Sequence, residues 1–388
     1  MSNNPCSICG DRTTQIPIFE SLPISSAHLS ATPKFQEGLP FIAGLCNQCD
    51  HVQNNAWLDL ESKNLTPTIY GHTDYQLKTA VSQSMSTNLR DIANWIVEQL
   101  GTKDKEHLRV LEIASGSGEL ARWFADRGAD VFTVDPSIDD YGYKGITHKK
   151  QLFSDEFPFD QFDLIIARHI IEHISTPATF LTTCANKLHP NGLLYLEMPN
   201  GRAALDKMRP IEYFIDHIQH YSLNSIMKLI RKSNLAVFSY RYLLSHNHLA
   251  ICAMKGSEIH PDTPANDLLA ELNLAIASFQ TILDKVSNAT SLVIYGAGAH
   301  AATFVNVISK EDRAKIVAVF DKDVAKHGKY LPNTTVAISM PRQDVDADLI
   351  VNTAVLYPKE VEDYLFSELK TEIPILHATQ TFFEKNKV

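Results

Sequence analysis

Apolar and polar positions alternate along this chain in two different rhythms. A helical rhythm starts near Asp91, runs through Ile92, Trp95, Ile96 and Leu100, and stops at Gly101. Short apolar runs then predict strands at 109–113, 131–134, 163–167 and 193–197, separated by helix-like stretches. Strands alternating with helices predict a parallel, doubly wound α/β sheet. Residues 50–66 read as polar and irregular up to Pro67, and 256–266, with Pro261 and Pro264, read as a linker. Beyond the linker come a helix and a second alternating region, with strands expected at 291–295, 316–320 and 348–351. The expected parts are 1–66, 67–256 and 262–388.

Composition narrows the class without naming a function. At 388 residues the chain has room for two or three domains. A 44% hydrophobic and 21% charged composition is that of a globular protein with real cores. Acids outnumber bases 45 to 35, for a formal charge of -10. That balance argues against a partner gripped by bulk positive charge, so neither nucleic acid nor a membrane surface is expected, although a local basic patch stays open. No apolar run approaches the ~18 residues of a membrane span. The opening M-S-N-N-P-C-S-I-C-G lacks the pattern of a signal peptide, so a cytoplasmic location is expected. Nothing in the sequence fixes an oligomeric state.

The cysteines are more specific. Four of the six form two C-x-x-C pairs, Cys6 with Cys9 and Cys46 with Cys49. Two such turns supply the four thiolates of a tetrahedral structural zinc site. The 36 residues at 10–45 exceed the usual ribbon spacing, so a longer insertion is expected between the turns. A redox pair would need a strand before Cys6, and five residues are too few for one. Cys184 and Cys252 lie in apolar runs and read as core.

Residues 109–121, R-V-L-E-I-A-S-G-S-G-E-L-A, read as strand, small-residue turn and helix. Gly116 and Gly118, with Ser115 beside them, let backbone approach a ligand closely. Asp135, ending the next strand in V-F-T-V-D-P-S, is placed to accept two ribose hydroxyls. The pattern fits either NAD or S-adenosylmethionine, and a tight turn without ligand is the plain alternative. Glu112 in the preceding strand resembles the first motif of class I methyltransferases, and 162–169 and 193–200 resemble later strands of that fold. Ala114 departs from it, since glycine is common there.

Two histidine segments follow. H-I-I-E-H at 169–173 matches an inverted zinc-peptidase signature, and on a helix both histidines would share a face. It follows a strand of the cofactor sheet directly, so Arg168, His169 and His173 are expected instead to line the donor pocket or a helix surface. E-Y-F-I-D-H-I-Q-H-Y-S at 212–222 gathers Asp216, His217, His220 and Tyr221. On a helix His217 and His220 would face one way, and histidine is the natural general base near neutral pH; a solvated polar turn is the alternative.

Taken together these parts resemble the three-domain sugar C-methyltransferases that act on nucleotide-linked 4-keto sugars. The resemblance covers nearly the whole chain. Its most specific elements are the order of the parts and the stretch V-I-Y-G-A-G-A-H-A followed by F-D-K-D-V-A-K-H-G-K-Y-L-P. It implies an α/β fold: a class I methyltransferase domain, a small N-terminal zinc-binding module and a C-terminal Rossmann-like domain. By resemblance, Cys6, Cys9, Cys46 and Cys49 hold Zn2+, and Glu112, Gly116, Gly118 and Asp135 meet S-adenosylmethionine. His217 beside Asp216 becomes the base that forms an enolate, with His220 in reserve. Tyr75 and Tyr221 are expected at the substrate, and Gly296, Gly298, Lys326, Lys329 and Tyr330 on the nucleotide side of the cleft. Phe214 and Leu77 stand where tyrosines are expected, and Asp216 replaces a glutamate. An O- or N-methyltransferase on a related small molecule, an NAD-dependent dehydrogenase using Gly296, Gly298 and Asp321, and a non-catalytic scaffold are the competing readings.

Overall fold

A computed structural model describes residues 4–24, 29–64, 83–101, 107–256 and 268–379. Tyr75 and Leu77, and most of the expected linker, lie outside the described residues.

The described strands form three sheets. The central one contains β4 (Arg109–Ile113), β5 (Asp130–Val134), β6 (Ile146–Lys149), β7 (Phe162–Arg168), β8 (Leu188–Pro199), β10 (Leu235–Leu243) and β11 (His248–Lys255), in the order β10-β11-β8-β7-β4-β5-β6. Strands β4 to β8 pair in parallel, as the apolar runs of β4, β5, β7 and β8 predict; β6, with the polar sequence I-T-H-K, is not among the expected strands. The sheet is mixed, however, because β11 runs antiparallel to both β8 and β10. Only four residues separate β10 from β11, too few for the crossover that a parallel pair needs.

The N-terminal sheet holds β1 (Thr14–Leu22), β2 (Leu39–Cys46), β3 (His51–Asn54) and the two-residue β9 (Gln219–His220), so its last strand comes from the connection between β8 and β10 of the central sheet. The C-terminal sheet is fully parallel: β14 (Ile338–Ser339), β13 (Ile316–Phe320), β12 (Leu292–Tyr295), β15 (Leu349–Asn352) and β16 (Ile375–His377), in that order. The reversal of strand order at β12 is the switch point of a doubly wound sheet.

Residues 50–66 are not irregular up to the last described one, Asn64. They form β3 and then a helix, Asn55–Ser62, whose first turn is capped by the Asn54 side chain accepting from Trp57 N. The polar residues misled because they are buried and paired with one another. Gln53 Oε1 accepts from Ser7 N at 2.8 Å while its Nε2 donates to Asn55 Oδ1 at 2.8 Å. Asn54 Nδ2 donates to Ile215 O at 3.0 Å, and the His51 ring is bonded to Gln219 Oε1 at 2.8 Å. A strand of buried polar side chains carries none of the alternation by which strands are read.

One hydrophobic core joins the N-terminal and C-terminal sheets. Phe19, Phe41 and Trp57 pack with Ile211, Tyr213 and Ile215, and then with Phe279, Phe304 and Val351. Phe41 is fully buried, with its ring 5.3 Å from Tyr213 and 5.6 Å from His220. Phe41→Ala is expected to cost about 3–5 kcal/mol. Because the core is shared, chemical denaturation of this variant should lower the stability of both outer sheets together, which paired probes in the two sheets would report.

Candidate functional site

The loops at the C-terminal ends of β4, β5, β7 and β8 surround a cavity of about 1240 Å³. This is where an open α/β sheet places ligands. After β4 the chain turns through Ala114, with φ +52, and Gly116, with φ +52, into helix Glu119–Ala125 capped by Gly118, with φ +69. The Ala114 position therefore lies in the left-handed region, which explains why glycine is the commoner residue there. A Cβ on Gly118 would lie 2.6 Å from the Tyr141 ring, whereas one on Gly116 would meet nothing within 4 Å. Tyr141 locks the loop: its hydroxyl donates to Gly116 O at 2.7 Å and lies 2.8 Å from Ser115 Oγ.

Two carboxylates flank this loop. Glu112 is buried, and its Oε2 accepts from Ala121 N at 2.9 Å. Burial pushes its pKa up to about 7, against the pull of Arg168. Asp135 accepts from Gly116 N at 3.2 Å and from Ser137 N and Oγ at 2.8 and 2.6 Å. Glu112, Ser115, Gly116, Asp135 and Ser137 all line the cavity, as do Arg168, His169 and His173. An open backbone loop with a carboxylate at the next strand end fits a nucleoside whose ribose hydroxyls need acceptors.

The H-x-x-E-H segment is not an α-helix. Strand β7 ends at Arg168, His169 has φ +49, and only a 3-10 turn follows at Ile171–His173. The two histidines consequently part. His169 lies between two buried carboxylates, 3.2 Å from Glu197 Oε1 and 3.5 Å from Glu172 Oε1. Burial opposes its charge, yet these partners raise its pKa to about 9. Burial alone would raise Glu197; the Arg168 guanidinium, bonded to it at 2.7 and 3.2 Å, and the histidines hold it well below the usual carboxylate range. His173 Nδ1 instead meets Asp216 O at 2.7 Å.

The 212–222 segment also departs from a helix. It is a turn followed by β9, and the register pairs Val52 with His220. His217 therefore lines the cavity while His220 does not; His220 is buried between the Phe41 and Tyr213 rings. Tyr221 likewise does not line the cavity, its ring tilted against His51 and its hydroxyl donating to Ile171 O at 3.3 Å. The His217 ring contacts His173 at 4.8 Å and Phe214 at 4.9 Å and makes no hydrogen bond among the described residues. Burial, then the neighbouring His173 and His220, keeps its pKa well below the ordinary histidine value. Asp216, 3.9 Å from His173 Nδ1, is raised by burial. Sequence reasoning missed Glu172, Glu197, His248 and Tyr141; only their chain positions, not their types, brought them here.

The C-terminal part adds Ala299, Leu356 and Tyr357 to the cavity. Its own glycine loop does not reach it: Gly296, Gly298, Lys326, Lys329 and Tyr330 are not among the lining residues. Asp321 there accepts from Ala297 N at 2.7 Å and pairs with Lys326 at 2.8 Å, and Tyr330 bridges to Ser30. At the other end of the chain the four thiols of Cys6, Cys9, Cys46 and Cys49 lie within 4.8 Å of one another, with Cys6–Cys49 at 3.5 Å and Cys9–Cys46 at 3.3 Å. Disulfide sulfurs are about 2 Å apart, whereas ~2.3 Å bonds to zinc space them about 3.8 Å. The cluster is compatible with a tetrahedral zinc ion. No helix among the described residues is long and apolar enough to cross a membrane.

Comparison with known proteins places the central part. Residues 86–240 match the family model described as a methyltransferase domain. Curated relatives include the ubiquinone biosynthesis O-methyltransferase of Rhodopseudomonas palustris (strain TIE-1), 30% identical over 104 residues, covering 24% of this chain and 41% of the relative. The enzyme of that name from Rhizobium rhizogenes (strain K84) is 32% identical over 109 residues, covering 24% and 42%. The chain thus spans less than half the length of these relatives. Among solved structures, the magnesium protoporphyrin IX methyltransferase from Synechocystis PCC 6803 with bound SAH is 14% identical, covers 45% of this chain and 88% of its own, and gives a TM-score of 0.36. Residues 86–240 form a methyltransferase domain.

The loop geometry predicts opposite effects for two small changes. Gly118→Ala should lower thermal stability and weaken binding of S-adenosylhomocysteine, since it strains a positive φ and displaces Tyr141. Ala114→Gly, which suits its left-handed backbone, should keep both within about 1 kcal/mol of the parent chain. Differential scanning and titration calorimetry would measure the pair.

Proposed function

We propose that this chain is a methyltransferase for a small molecule, with His217 as the general base. The carrying observation is that one cavity is lined both by the Glu112–Asp135 loop and by His217. When bound, S-adenosylmethionine supplies a sulfonium methyl group to an incoming nucleophile. Asp135 and the Gly116 loop would hold its ribose and backbone-facing groups, and Glu112 would close the loop behind them. His217, neutral and without a hydrogen-bond partner among the described residues, would take the proton that leaves the substrate. His173, fixed by Asp216 O, would keep the His217 ring in place.

The finer reading is carbon methylation of a nucleotide-linked deoxy-keto sugar, in which His217 removes a proton beside the carbonyl and the enolate attacks the methyl group. The resemblance of the three-part chain supports it, with division at 1–66, 67–256 and 262–388, and so does the contribution of Ala299 and Tyr357 to the cavity. The phenols absent at Phe214 and Leu77 would have bonded a sugar or enolate, so oxygen methylation is the second reading, favoured by the names of the curated relatives. In both, the N-terminal cluster holds structural Zn2+. No role is assigned to bulk charge, nucleic acid or membrane.

A donor-dependent assay over a panel of nucleotide sugars, with product NMR, tests this directly. Methyl on carbon is expected; methyl on oxygen would select the second reading, and no binding of S-adenosylhomocysteine would overturn both. His217→Ala should reduce turnover by about 10²–10⁴-fold with donor affinity kept. Since only the neutral imidazole can accept a proton and burial depresses its pKa, the acidic limb of kcat/KM should lie below the ordinary histidine range. A limb at or above the ordinary histidine range would assign the base elsewhere. Stripping zinc, or Cys46→Ser, should lower the melting temperature, because Cys46 and Cys49 pack into one core with Leu194, Tyr221 and Ile226.

A further inference from the structure

The cavity wall carries a chelating arrangement that the base does not use. His169 follows β7, Glu197 lies on β8 and His248 opens β11, and each offers one ligand atom to a group lying within 4.8 Å. His169 Nε2 is 3.2 Å and His248 Nδ1 3.7 Å from Glu197 Oε1. A four-coordinate ion with ~2.1 Å bonds spaces its ligand atoms about 3.4 Å apart. The three side chains therefore need little movement to share one ion.

Their surroundings are built for that role. Glu197 is 2% exposed, and its Oε2 is fixed by Arg168 Nε at 2.7 Å and by the Tyr195 hydroxyl at 2.9 Å, while Oε1, which faces the histidines, also accepts from Arg168 Nη2 at 3.2 Å. His169 Nδ1 faces Glu172 Oε1 at 3.5 Å, the carboxylate that stands behind a metal-bound imidazole and orients it. His248 Nδ1 is buried without a hydrogen-bond partner among the described residues. The charges balance too: Arg168 neutralises Glu197, and Glu172 leaves a negative charge for a cation at His169.

We infer that His169, Glu197 and His248 bind one divalent transition-metal ion whose remaining positions open into the cavity. Two imidazoles and one carboxylate suit zinc, iron(II) or manganese(II), unlike the soft thiolates of the N-terminal cluster. The inference rests on the proposed methyl transfer for its purpose: an ion on this wall would coordinate the substrate oxygen and stabilise negative charge while His217 takes the proton. In this role His169 serves the cation rather than the methyl donor.

Manganese(II) titration of the full chain, followed by electron paramagnetic resonance, tests the site. One ion per chain is expected, with echo modulation from two imidazole nitrogens. Affinity should fall at least ~10-fold in both His248→Ala and Glu197→Gln and stay unchanged in His217→Ala. No binding at about millimolar Mn2+, modulation lacking imidazole nitrogen, or loss confined to His217→Ala would overturn the proposal, the last because Glu172, His173 and His217 form a neighbouring group. Calorimetry with S-adenosylhomocysteine in the same samples keeps the two claims apart. A chain that binds the nucleoside but no manganese loses only the cation site, and one that binds manganese but no nucleoside loses only the methyl-transfer reading.

Discussion

The turn that carries His217 is held in place by the N-terminal sheet, and the geometry of the cavity follows from that attachment. Asn54 N donates to Ile218 O at 2.8 Å, Asn54 Nδ2 to Ile215 O, and Val52 pairs in register with His220. His51 and Ser7 both bond to Gln219, the latter at 2.7 Å. The segment 215–220 is thereby fixed by backbone pairing and by buried amide and histidine side chains. With Ile215, Ile218 and His220 turned towards the N-terminal sheet, His217 is left to face the methyltransferase loops.

This attachment links the cysteine cluster to the cavity in a short chain of contacts. Cys46 ends β2, Cys49 lies in the turn, and His51 begins β3, the strand on which β9 is laid. The cluster lies at the root of the hairpin that positions the histidine turn. None of the four cysteines lines the cavity. The C-terminal sheet is tied in from the other side: Arg202 pairs with both Asp50 and Glu271, so one guanidinium joins all three parts.

Much of this was legible in the sequence where a local rule applies. Strands β4, β5, β7 and β8 are largely apolar runs, and the loop from Ala114 to Gly118 has the spacing of a tight turn that lets backbone approach a ligand. The four cysteines announce themselves by spacing. What stayed hidden depends on pairing at a distance. β3 is built of buried polar residues whose partners lie up to 168 positions away, so no periodicity reveals it. His217 and His220 looked like one helical face, but β9 sends the second into the core. Glu197 and His248 became site residues only when β8 and β11 paired, with Pro199 opposite His248.

The central claim is that the methyl donor and the base meet in one cavity, roofed partly by Ala299 and Tyr357. A crystal structure with S-adenosylhomocysteine bound measures this most directly. The account predicts the ribose hydroxyls on Asp135 and the sulfur facing His217. A nucleoside seated instead on Asp321, at the loop of Gly296 and Gly298, would contradict it.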